Sequence, residues 1–384
     1  MKKKVIIDRA DRLYQMAPPL QDFYPHTLAL ASKKLAPLDL ARPVWGAPDS
    51  ATTPAPTGQT ISEKTLQNLK EAISNWALAE LSVKLNPEKE IFIASGVRRL
   101  LSLIAMAYLD PGDAALTPNP GYPAYRQIAI TYGAEPIDYR LTEKRGFKPR
   151  FKQFSDRVGK ATRIMFLNNP HNPTAGELDN EELDELLWLA ARDNILIVND
   201  AAYYSFASHD GASILASPSG KRIGLELYDL PFMFGSTAIR LAFAIGSRDL
   251  ISGLNAAERI FPETLYESQA TGAIEELRKF PSQEIHTVRS RIRDAYPAAI
   301  QFCEALGLEP VGRQGFPFLL ARIPRRTSSR AYSATLLRRQ GIVTLPAIAF
   351  GDLGEGYIRL ALTSGPLPFQ EANQRIRSRK LRSA

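Results

Sequence analysis

Several polar side chains fall where apolar runs of this chain end. Ser95-Gly96 closes the run "EIFIASG" and stands directly before the helical pattern "VRRLLSLIAMAYL". Backbone N–H groups at such a strand-to-helix step point toward an anion. Tyr122, in "NPGYPAY", offers an aromatic face, and Asn172, in "NNPHNPT", offers an amide. Asp200 and Tyr203 come at i and i+3 as the run "ILIVND" closes. Arg240 opens the run "RLAFAIGS", and Arg359 lies in "GYIRLALT". The set joins a seat for an anion to a carboxylate, an amide, two phenols and two guanidinium groups.

The elements that must position these groups read as strand–helix alternation. Residues 62–85, "SEKTLQNLKEAISNWALAELSVKL", put Leu66, Leu69, Ile73, Ala77 and Leu81 on one helical face, with Ser62 as a cap. "TRIMFLNNP", "ILIVNDAAY", "IGLELY" and "RLAFAIGS" are near-continuous apolar runs of the kind buried in parallel sheets. "DNEELDELLWLAARDN" and "RDLISGLNAAERI" read as the helices between and after them, the first capped by Asp179 or Asn180. A hairpin-like region is expected after Tyr125. This order predicts an α/β fold with a mostly parallel sheet covered on both faces, and ligands at the carboxyl ends of its strands. Further on, residues 284–306 form a long helix that Pro297 should kink. "GFPFLLARIP", "GIVTLPAIAFG" and "YIRLALT" read as strands of a smaller α+β domain.

Composition excludes several classes. The 384 residues are 45% hydrophobic and 23% charged, near the average for globular proteins. The single cysteine, Cys303, leaves no disulfide framework and no CxxC site, and it fits a reducing, cytoplasmic setting. Histidines 26, 171, 209 and 286 show no metal-ligand spacing, so no metal is expected. No run has the ~20 apolar residues of a membrane span. The start "MKKKVIIDRADRL" lacks the apolar stretch of a signal peptide. The net charge of +8 gathers at Lys2 to Lys4 and at Arg375, Arg377, Arg379, Lys380 and Arg382. With no nucleic-acid-binding motif beside it, this charge reads as solvated termini.

Taken together, "DPGDAALTPNPGYPAY", "LNNPHNPT" and "IVNDAAYYSF" resemble the class I/II aminotransferases, which use pyridoxal phosphate (PLP) on the type I fold. The opening "ADRLYQMAPPL" is similar to the LL-diaminopimelate aminotransferase branch. The resemblance implies a large domain over 45–286 and a small one built from 1–44 and 287–384. It also implies a dimer with the site at the subunit interface. It assigns Asp200 to the pyridine nitrogen, Asn172 and Tyr203 to the phenolate oxygen, and Tyr122 to the ring face. Ser95, Gly96, Val97 and Arg240 are assigned to the phosphate, and Arg359 to a substrate α-carboxylate. The resemblance begins within the first dozen residues, so no DNA-binding domain is expected ahead of it.

The pattern also breaks. The family's S-x-x-K and G-x-R put a lysine eight residues before the arginine, and that position here is Phe232. Lys221, eleven residues upstream of Phe232, is not expected to replace it. A phenylalanine forms no imine and moves no proton. The serine of the phosphate cup is replaced by Asp229. A carboxylate ~4 Å from a phosphate charge costs about 4 kcal/mol at an effective dielectric near 20. Val97 stands for a usual polar residue, Ala238 for the glycine of G-x-R, and "NPTAG" carries one residue more than "NPTG". The stretch "ATTPAPTGQTIS" lacks the tyrosine that the family sends to its partner's phosphate.

These losses lead to four expectations. PLP binds weakly or not at all. Asp229 pairs with Arg240 inside the old phosphate site. The chain is a non-catalytic binding or regulatory homologue, as a homodimer or paired with an active aminotransferase, open to a small amino-acid or carboxylate ligand. The alternative is an enzyme with non-covalent PLP or its amine form, with Tyr203 or Tyr204 as base.

Overall fold

The computed structural model describes residues 36–45, 58–150, 161–208 and 213–383. The N-terminal basic segment, "ADRLYQMAPPL", residues 51–57, His26 and His209 lie outside the described residues, as do the side chains of Arg379, Lys380 and Arg382.

The described strands are β1 (Leu38–Asp39), β2 (Ile91–Ala94), β3 (Ala114–Asn119), β4 (Glu135–Arg140), β5 (Thr162–Asn168), β6 (Leu196–Asp200), β7 (Gly224–Asp229) and β8 (Ala242–Gly246), followed by β9 (Glu309–Val311), β10 (Phe318–Arg322), β11 (Ile342–Val343), β12 (Leu345–Pro346) and β13 (Tyr357–Ala361). Seven of them form one sheet in the order β2-β8-β7-β6-β5-β3-β4. Only β8 runs against its neighbours, β2 and β7; the other pairings are parallel. The region after Tyr125 is not a hairpin. It is the helix Pro123–Thr131 followed by β4, which lies parallel to β3. A helical crossover is what a parallel neighbour requires.

Strand alternation divides the apolar residues between two layers. Ile91, Ile93, Met165, Leu167, Ile197, Phe243 and Ile245 pack with the helices Glu63–Leu81, Asn180–Arg192 and Glu267–Arg278. Phe92, Ala94, Ile164, Phe166, Leu196, Val198, Leu225, Leu227, Ala242 and Ala244 pack with the helices Val97–Tyr108, Pro123–Thr131 and Arg248–Glu258. Burial on both faces explains why these strands read as continuous apolar runs. The capping readings hold. Ser62 accepts from the Thr65 N–H, and Asp179 forms a capping box with Glu182.

A four-stranded antiparallel sheet, β12-β13-β10-β9, packs with the helices Gln283–Leu306 and Ser329–Gln340 around Phe302, Phe316, Leu319 and Leu360. The first of these helices runs on past Pro297 as one element. β1 pairs with β11, so the chain near residue 38 returns to this layer. Among the described residues, no helix is long and apolar enough to cross a membrane.

Candidate functional site

One edge of the large sheet gathers the polar groups. β5, β6 and β7 end there in Asn168, Asp200 and Asp229, and β2 ends there just before Ser95. Because β8 is antiparallel, its beginning meets the same edge. Ala242 lies opposite both Ala94 and Asp229, which brings Arg240 to this end of the sheet. A cavity of about 520 Å³ opens here. Ser95, Gly96, Val97, Tyr122, Asn172, Asp200, Tyr203, Asp229, Phe232, Arg240 and Arg359 all line it. The structure therefore brings every cofactor and carboxylate residue named from the sequence to one place, but not Tyr204, the alternative base.

Asp200 is 5% exposed. Its carboxylate accepts from the Tyr125 hydroxyl at 2.6 Å and from the Ala202 N–H at 3.1 Å. Burial pushes its carboxyl up to about 6, against the pull of those two donors. Asn172 joins two other members of the set. It donates to the Tyr203 hydroxyl at 3.1 Å, and its amide oxygen accepts from Arg359 at 3.1 Å. Arg359 is buried, donates also to the Ala41 carbonyl at 3.1 Å, and lies 4.0 Å over the Phe318 ring. Asn168 fixes this corner, accepting from the Asn172 N–H and donating to the Asp200 carbonyl. The extra residue of "NPTAG" is absorbed by Ala175 in a left-handed conformation, φ 62°, where its N–H reaches the His171 carbonyl.

The anion seat before the helix Val97–Tyr108 has an occupant from within the chain. The Ser95 N–H donates to the Glu263 carboxylate at 2.9 Å, and the Ser95 hydroxyl donates to its other oxygen. Gly96 makes the turn into the helix at φ 156°, ψ 164°, a conformation that side-chain-bearing residues rarely adopt. Nearby, Arg98 donates to the Tyr122 hydroxyl at 2.6 Å and lies over its ring at 5.6 Å.

The expected Asp229–Arg240 pair does not form. Among the described residues no ion pair joins them, and the charge felt by Asp229 is that of Asp200. Arg240 stands just ahead of β8, its N–H is held by Gln269 at 2.6 Å, and its side chain is exposed. Burial, and then the Asp200 charge, pushes the Asp229 carboxyl up to about 8. Its side chain stays partly open to the cavity.

Between β7 and β8 the expected loop holds a short helix, Leu230–Phe234, with Pro231 in its first turn. Proline suits that position because its missing N–H has no partner there. Phe232 packs on Tyr203 with ring centroids 5.4 Å apart and planes at 12°, and on Trp45 at 4.8 Å. No lysine is among the described residues lining the cavity. Lys221 points elsewhere, donating to the Lys84 carbonyl at 3.2 Å. Tyr204 also faces away, toward a separate cavity and the Glu80 carbonyl.

Tyr125, Asn168, Arg98 and Glu263 escaped the sequence reading. Tyr125 carries a signal, since it follows Tyr122 at i+3 on a helix that starts at Pro123. Glu263 carries none, standing 168 residues from Ser95.

Residues 53–367 match the family model for aminotransferase class I and II. The chain is similar to LL-diaminopimelate aminotransferase from Halothermothrix orenii, at 26% identity over 97% of this chain and 98% of that protein. The enzyme of the same name from Aquifex aeolicus is 29% identical over 81% of each chain. A substrate-bound BacF structure from Bacillus subtilis superposes with a TM-score of 0.85 at 25% identity, covering 97% of this chain and 98% of that one. N-succinyldiaminopimelate aminotransferase from Mycobacterium tuberculosis shares the fold, with a TM-score of 0.82 at 21% identity over 96% and 99% of the two chains. The α/β fold is that of the PLP-dependent aminotransferases, and the chain belongs to the aminotransferase class I and II family.

Proposed function

We propose that this chain is an aminotransferase homologue that does not transaminate and serves as a ligand-binding or regulatory protein. The observation that carries the reading is the phenylalanine at position 232. In the family pattern this is the place of the lysine, and here the side chain is stacked on Tyr203 and packs at a tilt on Trp45. Transamination needs an amine that forms an imine with the cofactor and then moves a proton. The described lining of the cavity supplies no amine.

The residues fit one end of PLP and not the other. Asp200, Asn172, Tyr203 and Tyr122 offer a carboxylate, an amide, a phenol and a ring face, the groups a pyridinium ring with a phenolate would use. When bound, PLP supplies an electron sink for carbanion chemistry. At the opposite end Glu263 already takes the Ser95 donors that a phosphate would use, and Asp229 places a carboxyl in a lining that Arg98 and Arg240 share. Arg359 remains the group for a ligand carboxylate, as a bidentate partner. The ligand class is a small amino acid or a related carboxylate.

An enzyme with a non-covalent cofactor is the second reading, favoured by the intact Asp200–Asn172–Tyr203 set. It lacks a base. Burial holds the Tyr203 phenol well above its usual range, and Tyr204 faces the other cavity.

The protein works as a dimer in the cytoplasm, either with itself or with an active homologue, and divides into a large domain over 45–286 and a small one over 1–44 and 287–384. Exposed Ile260 and Phe261, next to Glu263, support an association near the cavity mouth. Light scattering on the purified chain checks the dimer. An assay of amino-group transfer from amino acids to 2-oxo acids, with PLP in excess, tests the function. No transfer is expected, and catalytic turnover would refute the reading.

A further inference from the structure

The Ser95–Glu263 contact has a consequence for which ligand enters. Ser95 follows β2 just before a helix of 12 residues, so its N–H and hydroxyl are donors that can serve an anion. Glu263 takes both, with one carboxylate oxygen on each. The Glu263 backbone is itself fixed, its N–H donating to Glu258 at 2.6 Å. Glu258 in turn accepts from Arg99 at 2.6 Å. The carboxylate thus stands on a braced segment rather than on a free side chain. Asp229 faces the same cavity, and among the described residues no donor engages its side chain.

We propose that Glu263 is a built-in substitute for phosphate, and that the cavity selects a phosphate-free aromatic amine over its phosphorylated form. This deepens the reading above and rests on its assignment of the cavity to a ring ligand. A phosphate dianion entering here meets the Glu263 carboxylate already hydrogen-bonded in its seat. A hydroxymethyl group in place of the phosphate ester reverses the match. It carries a proton to donate and no charge, and the Glu263 carboxylate accepts. The opposite end of such a ring meets Asp200, as a protonated ring nitrogen would require. Selection is moderate rather than absolute, because Arg98, Arg99 and Arg240 line the same cavity, Ser95 is exposed and solvent screens the charges.

Pyridoxamine and pyridoxamine 5′-phosphate are the probes, since neither forms an imine with a lysine. Titration calorimetry on the whole chain compares their affinities, with inorganic phosphate as a third ligand. The expected result is a Kd for pyridoxamine lower by about tenfold, equal to about 1.4 kcal/mol. Inorganic phosphate is expected not to bind. Glu263→Gln keeps the shape and removes the charge, and Glu263→Ala vacates the seat. Both should shift the preference toward the phosphorylated probe, with Glu263→Ala shifting it more. Tighter binding of pyridoxamine 5′-phosphate by the unmodified protein overturns the selectivity while leaving the non-transaminating reading intact. So does a preference unmoved by either variant. Binding of neither ring probe by any of the three proteins overturns the ring assignment itself.

Discussion

The Phe232 ring lies on the Tyr203 ring, centroids 5.4 Å apart and planes within 12°. Trp45 closes on the same ring at 4.8 Å. A side chain in this position is held by packing, and it joins the large sheet's edge to the apolar cluster of the small layer. An active-site lysine would have to replace an aromatic contact that now stabilises the fold.

Truncating Phe232 is therefore costly. Phe→Ala in a core costs about 3–5 kcal/mol, and a partly exposed ring falls at or below the lower end. Phe232→Ala should lower unfolding stability by about 2–3 kcal/mol. Urea denaturation measures this as a lower midpoint at an unchanged slope. A loss within ~0.5 kcal/mol, the usual range for surface substitutions, would show that the stack is incidental.

Asp229 makes stability depend on pH. Its carboxyl is pushed up to about 8, whereas an aspartate in the unfolded chain titrates near its usual 3.8. Between those values the folded chain keeps a proton that the unfolded chain has lost. Stability from this group is fully present below pH ~4 and declines as pH rises toward 8. Asp200, pushed up to about 6, adds a decline over the lower part of the window. Melting temperature should thus fall between pH 5 and pH 9, and Asp229→Asn should flatten the upper part of that fall. An identical slope in the variant would place the titration elsewhere.

Arg359 combines a structural and a ligand role. Its guanidinium donates to Asn172 and Ala41 and covers Phe318. Arg359→Ala leaves the Asn172 oxygen and the Ala41 carbonyl without these donors and should cost about 3 kcal/mol in stability. Arg359→Lys keeps the charge but loses the bidentate fork. Calorimetry with a small carboxylic amino acid should show weaker binding by about tenfold or more in the lysine variant, the effect of losing a strong paired hydrogen bond. Unchanged affinity would remove Arg359 from the ligand site.

Much of this architecture was legible in the sequence because the large sheet is buried on both sides. Runs such as "RIMFLN" and "ILIVND" have no polar face to confuse the reading, so Asp200, which ends the second, and Asn172, just past the first, fall near the sheet edge by topology. The helix caps at Ser62 and Asp179 were legible because capping is local. Less legible were features set by tertiary geometry. β4 depends on pairing with β3, so the region around it resembled a hairpin. The Asp229–Arg240 pair was reasonable by charge, but the carboxyl is mostly buried while the Arg240 side chain is exposed. Glu263 gave no signal, because its partner is far away in the chain and its own segment is short and irregular.

The central claim is that the cavity supports no lysine-linked cofactor. The direct measurement is the visible absorption spectrum of the purified chain after incubation with PLP and desalting, followed by addition of amino acids. The account predicts a protein with no protein-bound imine chromophore and no spectral response to any amino acid. A retained chromophore that borohydride fixes to a lysine, and that an amino acid discharges, would contradict it.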